Sequence, residues 1–102
     1  MNEQLENKVW DVLKSVYDPE LPVNIVELGL IYKVSVDGQG AAKIVMTLTS
    51  PTCAVAEILP RIVETKAKSV EGITNVEVEI TWDPPWTKDR MSHLAKVALN
   101  LL

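Results

Sequence analysis

Thr49-Ser50-Pro51-Thr52-Cys53-Ala54 is the stretch on which the fold turns, because an alternating pattern ends there and a helical one begins. Before it, Ile44, Met46 and Leu48 alternate with Lys43, Val45, Thr47 and Thr49, the period of a strand with one buried face. After it, Val55, Ile58, Leu59, Ile62, Val63 and Ala67 fall at helical spacing, which predicts an amphipathic helix running to about Lys68. The chain's only cysteine, Cys53, stands at the joint. A thiol at a helix start faces free backbone N–H groups and the positive end of the dipole, both of which favour the thiolate.

Working back from the joint, Asp37-Gly38-Gln39-Gly40 makes a short turn between two strands, so Leu30–Val36 and Ala41–Thr49 form an antiparallel hairpin. In the first of these, Leu30, Tyr32, Val34 and Val36 are expected inward, and Ile31, Lys33 and Ser35 outward. Asn24-Ile25-Val26-Glu27 has capping-box spacing, with Gly29 as a left-handed exit, and predicts one short helical turn. Asp18-Pro19-Glu20-Leu21-Pro22-Val23 is too rich in proline for a central strand and reads as an ordered loop. Leu5, Val9, Val12, Leu13 and Val16 mark a first helix capped by Asn2 and ending near Tyr17, where Asp18-Pro19 stops it.

Forward from the joint, Pro60 interrupts the helical pattern and is expected to kink the helix or shift its effective start. Val76, Val78, Ile80 and Trp82 then alternate with Glu77, Glu79 and Thr81 as a third strand, ended by the stiff corner Asp83-Pro84-Pro85-Trp86. Thr87–Arg90 turns, and Ser92 caps a last helix with Leu94, Ala95, Val97, Ala98 and Leu101 inward. The order α-β-β-α-β-α predicts an α+β fold over 1–102, a single domain with a small three-stranded mixed sheet and helices packed on one face.

At 102 residues, with 47% hydrophobic and 24% charged, the chain has the composition of one folded domain with a modest core. Ten basic residues against 14 acidic ones give a net charge of -4, with no basic stripe for phosphates, so nucleic acid is not an expected partner. The start has no signal-peptide layout and no apolar run nears the ~20 residues that cross a bilayer, so no membrane and a cytoplasmic location are expected. One cysteine makes no internal disulfide, which leaves its thiol free.

Each candidate residue has an ordinary explanation beside a functional one. Cys53 could be a small core residue, since burial suppresses thiol reactivity, and Glu57 one turn on would oppose a thiolate if it pointed the same way. Asp18 and Glu20 could be carboxylate ligands or partner contacts, or respectively a helix-stopping turn residue and a solvated charge. Glu27 fits its capping box. Trp82 falls in the inward register and is expected in the core. Trp86, on the rigid proline corner, is the better candidate contact, and Asp83 could brace that corner. His93, in a first helical turn, is expected exposed rather than paired with Cys53.

Three segments together resemble the MIP18 family, also called the domain-of-unknown-function 59 family, which assists iron-sulfur cluster assembly. They are Asp18-Pro19-Glu20 through Leu28-Gly29-Leu30-Ile31-Tyr32, then Met46-Thr47-Leu48-Thr49-Ser50-Pro51-Thr52-Cys53, then Trp82-Asp83-Pro84-Pro85-Trp86-Thr87 with Met91-Ser92. The resemblance implies the α-β-β-α-β-α fold and a non-enzymatic role like that of the bacterial SUF-associated members, with Cys53 as the functional thiol. The family often carries proline after that cysteine, where this chain has Ala54. Without a G-x-x-x-x-G-K-[ST] loop the chain is not expected to be the form fused to a P-loop ATPase, although such an ATPase could be a partner. The phenylacetate-pathway members carry an added cysteine-rich tail, which these 102 residues do not contain, so a phenylacetate-pathway accessory role is expected to be the weaker alternative.

Iron-sulfur clusters are commonly held by four thiolates, so one cysteine per chain fits transient handling of a cluster or iron, or an adapter that only scaffolds, better than a stable carrier, with none tightly bound by a single chain. Cys53 is then the candidate iron or cluster ligand, with Asp18 as a second, and Asp18, Glu20, Thr52 and Trp86 are candidate partner contacts. The expected partners are iron-sulfur assembly proteins and apo target proteins, and a homodimer would ease the ligand shortage. A thiol enzyme using Cys53 as nucleophile is the other alternative, and it lacks a placed general base.

Overall fold

An acidic first turn and an apolar stripe build helix α1, Glu3–Leu13, with Glu3 and Glu6 at its positive dipole end and Val9 and Leu13 buried. The computed structural model of the chain describes residues 3–17, 23–48 and 53–98, without the side chains of residues 53–57 and 88. The helix was expected to reach Tyr17 but stops four residues sooner. The N–H groups of Lys14, Ser15 and Val16 turn to carbonyls three residues back, which tightens the end of the helix. Val16 is still buried, so the apolar period outlasts the helix. Tyr17 then bridges Asn24, and Ile25 N–H donates to Val16 O at 2.9 Å, so the two ends of the intervening segment are held side by side. Asn2, Asp18-Pro19 and Leu101 lie outside the described residues.

The turn from Asn24 forms as expected: Glu27 N–H donates to Asn24 Oδ1 at 2.9 Å and Leu28 N–H to Asn24 O at 3.1 Å. Gly29 leaves it at φ 78°, and a side chain there would strike the Arg90 carbonyl.

Strands β1 (Ile31–Val36), β2 (Ala41–Met46) and β3 (Asn75–Ile80) form the sheet in that order. β1 and β2 pair antiparallel, whereas β2 and β3 run parallel and are joined by helix α2, Cys53–Lys68. A parallel neighbour requires such a crossover, and α2 supplies it. Ala42, Ile44 and Met46 of central β2 are buried against the helical layer, where α1 packs on β1 and α2, and α2 packs on β3. On the other face Lys33, Lys43, Glu77 and Glu79 are exposed.

One alternation is broken. The register passes from Ile31↔Met46 to Lys33↔Val45, so Tyr32 is the extra residue of a β-bulge. Ile31 therefore joins Val34 and Val36 among the buried residues and Tyr32 is displaced toward the surface, the reverse of the uninterrupted alternation.

α2 stays helical through Pro60, which lacks the N–H that would have bonded one turn back. Its buried stripe is narrower than its apolar one: Leu59, Val63 and Ala67 are buried at four-residue intervals, but Ile58 and Ile62, expected inward, are 52% and 37% exposed. A 3-10 turn, Lys88–Arg90, precedes helix α3, His93–Ala98. Ser92 caps α3 through Ala95 N–H donating to its Oγ at 3.1 Å. Only Ala95 of that helix is buried, whereas Leu94 and Val97 are exposed, against expectation.

The β1–β2 turn is held by one carboxylate. Asp37 Oδ1 accepts from Gln39 N–H at 2.8 Å and Ala41 N–H at 3.0 Å. These bonds, Ala41's first, hold the Asp37 carboxyl below the usual aspartate range. Gly40, at φ 85°, completes the turn, its carbonyl accepting from Thr74 N–H at 2.9 Å at the entry to β3. A lowered folded-state pKa means that the ionised carboxylate stabilises the fold above the unfolded-state pKa, and that this is lost as pH falls through the folded one. Asp37→Ala should therefore be less stable than the native chain at neutral pH, with the difference shrinking in acid. Urea unfolding across that pH range measures it, and a difference independent of pH would show that the charge contributes nothing.

Candidate functional site

The joint between β2 and α2 is anchored on both sides. Thr47 N–H donates to Leu30 O at 2.8 Å, which carries strand-like pairing past the end of β2, and Leu48 is buried. α2 opens with Cys53 as its first residue and carries no acidic residue in its first turn, and Leu59 fixes its next turn in the core. β2 ends at Met46, short of the Thr49 that the alternation suggests, and α2 runs from Cys53, so the change from strand to helix falls between Met46 and Cys53. Thr52 and the other residues of 49–52 lie outside the described residues, as do the side chains of Cys53 and Glu57. Asp18 and Glu20 lie outside them too, so of the predicted site residues the structure describes Trp86 fully and Cys53 by its backbone.

Beside this joint is a residue that alternation does not reveal. Thr47 continues the outward row of Lys43 and Val45, yet it is fully buried, and its hydroxyl has no hydrogen-bond partner among the described residues. An unmet buried hydroxyl costs about 1–3 kcal/mol. Thr47→Val keeps the shape and removes the hydroxyl, so it should raise stability by up to roughly that amount. A loss of stability in urea unfolding would mean that the hydroxyl has a partner in solution.

The second cluster joins the proline corner to the turn at Asn24–Gly29. Trp86 packs against the core, and its Nε1–H donates to Leu28 O at 2.7 Å. Tyr32, displaced outward by the bulge, donates its hydroxyl to Pro84 O at 2.7 Å, and the Arg90 guanidinium lies 4.5 Å from its ring centroid. Ser92 N–H donates to Glu27 O at 2.8 Å, so Glu27 serves this junction through both of its peptide groups. Asp83 also acts through its backbone: its N–H donates to Thr81 Oγ1 at 3.3 Å, and its carbonyl accepts from the same hydroxyl at 3.1 Å.

The two tryptophans exchange the places expected of them. β3 ends at Ile80 and the Thr81 hydroxyl turns the chain, so the alternation that would have put Trp82 in the core does not continue. Trp82 is 49% exposed, whereas Trp86 is half-buried. His93 is exposed at the start of α3, and among the described residues no three His, Cys, Asp or Glu side chains come together to hold a metal. Trp86→Phe removes one donor to a carbonyl and should cost about 1–3 kcal/mol in urea unfolding. No change would mean that water replaces the indole there.

A family model described as "Iron-sulfur cluster assembly protein" matches residues 6–80, most of the chain, including the joint at Cys53. The chain belongs to that family. It is 44% identical over 101 residues to the Fe-S protein maturation auxiliary factor YitW of Bacillus subtilis, covering 99% of both chains. To the Fe-S protein maturation auxiliary factor SufT of Staphylococcus aureus it is 48% identical over 86 residues, covering 84% of this chain and 98% of that one. Its structure is similar to the crystal structure of a domain of unknown function 59 from Bacillus anthracis, with a TM-score of 0.91 and 42% identity over 98% of this chain and 95% of that one. Its function is accordingly an accessory one in iron-sulfur cluster assembly. No described helix is long and apolar enough to cross a membrane.

Proposed function

We propose that the chain is a non-catalytic factor that handles iron or a cluster transiently through Cys53 while iron-sulfur assembly proteins and apo target proteins dock around it in the cytoplasm. The observation that carries this reading is the position of Cys53 as the first residue of α2, on a joint fixed in the core at Leu48 and Leu59. Free N–H groups and the dipole at that position favour a thiolate, the form that binds metal and sulfur. A single domain with one cysteine cannot supply the four thiolates of a typical cluster, so the cluster is cargo and its other ligands come from the protein that gives or receives it. Asp18 is the second candidate ligand. Asp18, Glu20, Thr52 and the corner fastened by Trp86 are the candidate contacts, and a P-loop ATPase scaffold is one candidate partner.

The test is restoration of an iron-sulfur enzyme's activity in cells lacking this chain, comparing the native protein with Cys53→Ser after thermal melts show that both fold. The variant should restore little or none, and full restoration would reduce Cys53 to packing. Anaerobic incubation with iron and sulfide reads the other half of the proposal. A Cys53-dependent chromophore that survives gel filtration on a dimer would replace transient handling with a cluster bridged between two chains.

A further inference from the structure

The sheet has two edges, and the chain treats them differently. On the β1 edge the outward N–H of Val36 donates to Glu6 Oε2 of α1 at 3.2 Å, and α1 packs along the strand. Among the described residues the β3 edge has no such cover. Thr81 N–H donates to Met46 O at 2.9 Å, which sets the phase of the parallel ladder. By alternation Glu77 and Glu79 turn their peptide groups to β2, and Val76, Val78 and Ile80 turn theirs away from it. Among the described residues nothing takes up those outward groups.

The usual devices that blunt a free edge are a proline, a bulge, an inward charge or a covering element. β3, with sequence Asn75-Val76-Glu77-Val78-Glu79-Ile80, has neither proline nor inward charge, and its pairing with β2 runs without a register shift. Its charges lie on the open face, where Glu77 and Glu79 share one cation, Lys43 Nζ, at 3.8 and 3.6 Å. One positive charge against two negative ones leaves that face of the edge acidic. On the opposite face Val78 and Ile80 are only partly buried, and Trp82 just beyond the strand is 49% exposed.

We propose that the β3 edge accepts an extended segment of a partner protein that alternates basic with apolar residues, adding a fourth strand to the sheet. The free peptide groups of Val76, Val78 and Ile80 supply the ladder, and the side chains on the two faces supply the selection. Basic residues of the incoming strand lie beside Glu77 and Glu79, and its apolar residues extend the row of Val78 and Ile80. A second copy of this chain is a poor occupant, because antiparallel pairing of two β3 strands sets Glu77 and Glu79 against the same two residues, and like charges across strands repel. The surface is independent of the role assigned to Cys53.

Two measurements on the full-length protein test it. Amide hydrogen exchange of the free chain should show Val76, Val78 and Ile80 exchanging much faster than the β2 amides, and equal protection would mean that the edge is already covered. Titration with a short capped peptide alternating lysine with valine should shift those three amides and the Trp82 indole. The same peptide with glutamate for lysine should bind about tenfold more weakly, and the exposed Glu77→Lys/Glu79→Lys variant should reverse that preference. Equal binding of both peptides, shifts located elsewhere, or self-association through β3 would overturn the proposal.

Discussion

Everything in this chain hangs on covering both sides of one short strand. β2 is central, and its row of Ala42, Ile44 and Met46 is buried. A tight turn gives it an antiparallel neighbour in β1, but the neighbour on its other side runs parallel, which a tight turn cannot provide. The chain must leave β2, cross the face of the sheet as a helix and return, and Cys53 stands where that crossing starts. Topology thus places Cys53 at the start of a helix whose next turn is pinned in the core, after a strand paired with β1.

The same constraint explains why the joint was legible in the sequence. A change from period two to period 3.6 is a large signal, and it survives even Pro60 because Leu59, Val63 and Ala67 outweigh one missing hydrogen bond. The turn at Asp37, the cap at Ser92 and the exit at Gly29 were legible for a related reason: each depends on the residue's own chemistry and on neighbours within four positions.

What was not legible depends on contacts between distant segments. The bulge at Tyr32 costs one ladder position, and its compensation lies 52 residues away, at the Pro84 carbonyl, with Arg90 against the ring. Trp82 and Trp86 share a residue type and a proline corner. What separates them is the Leu28 carbonyl, which the Trp86 indole reaches across 58 residues. Helical spacing located the apolar sides of α2 and α3 but not the width of what packs on them, so Ile58, Ile62, Leu94 and Val97 remain outside. Thr47 is the sharpest case, a polar side chain in the outward phase that is nonetheless buried, with no partner for its hydroxyl among the described residues.

These features divide the molecule into fixed and open parts. The corner at Trp86, the bulge at Tyr32, the turn at Asn24–Gly29 and the start of α3 are tied together by hydrogen bonds between four separate stretches. The joint at Cys53 has a different character: its flanks are held by burial, at Leu48 before it and at Leu59 after it. If Cys53 is the ligand proposed above, one chain supplies a quarter of the ligands of a typical four-thiolate cluster, and the rest must come from the protein that gives or receives it.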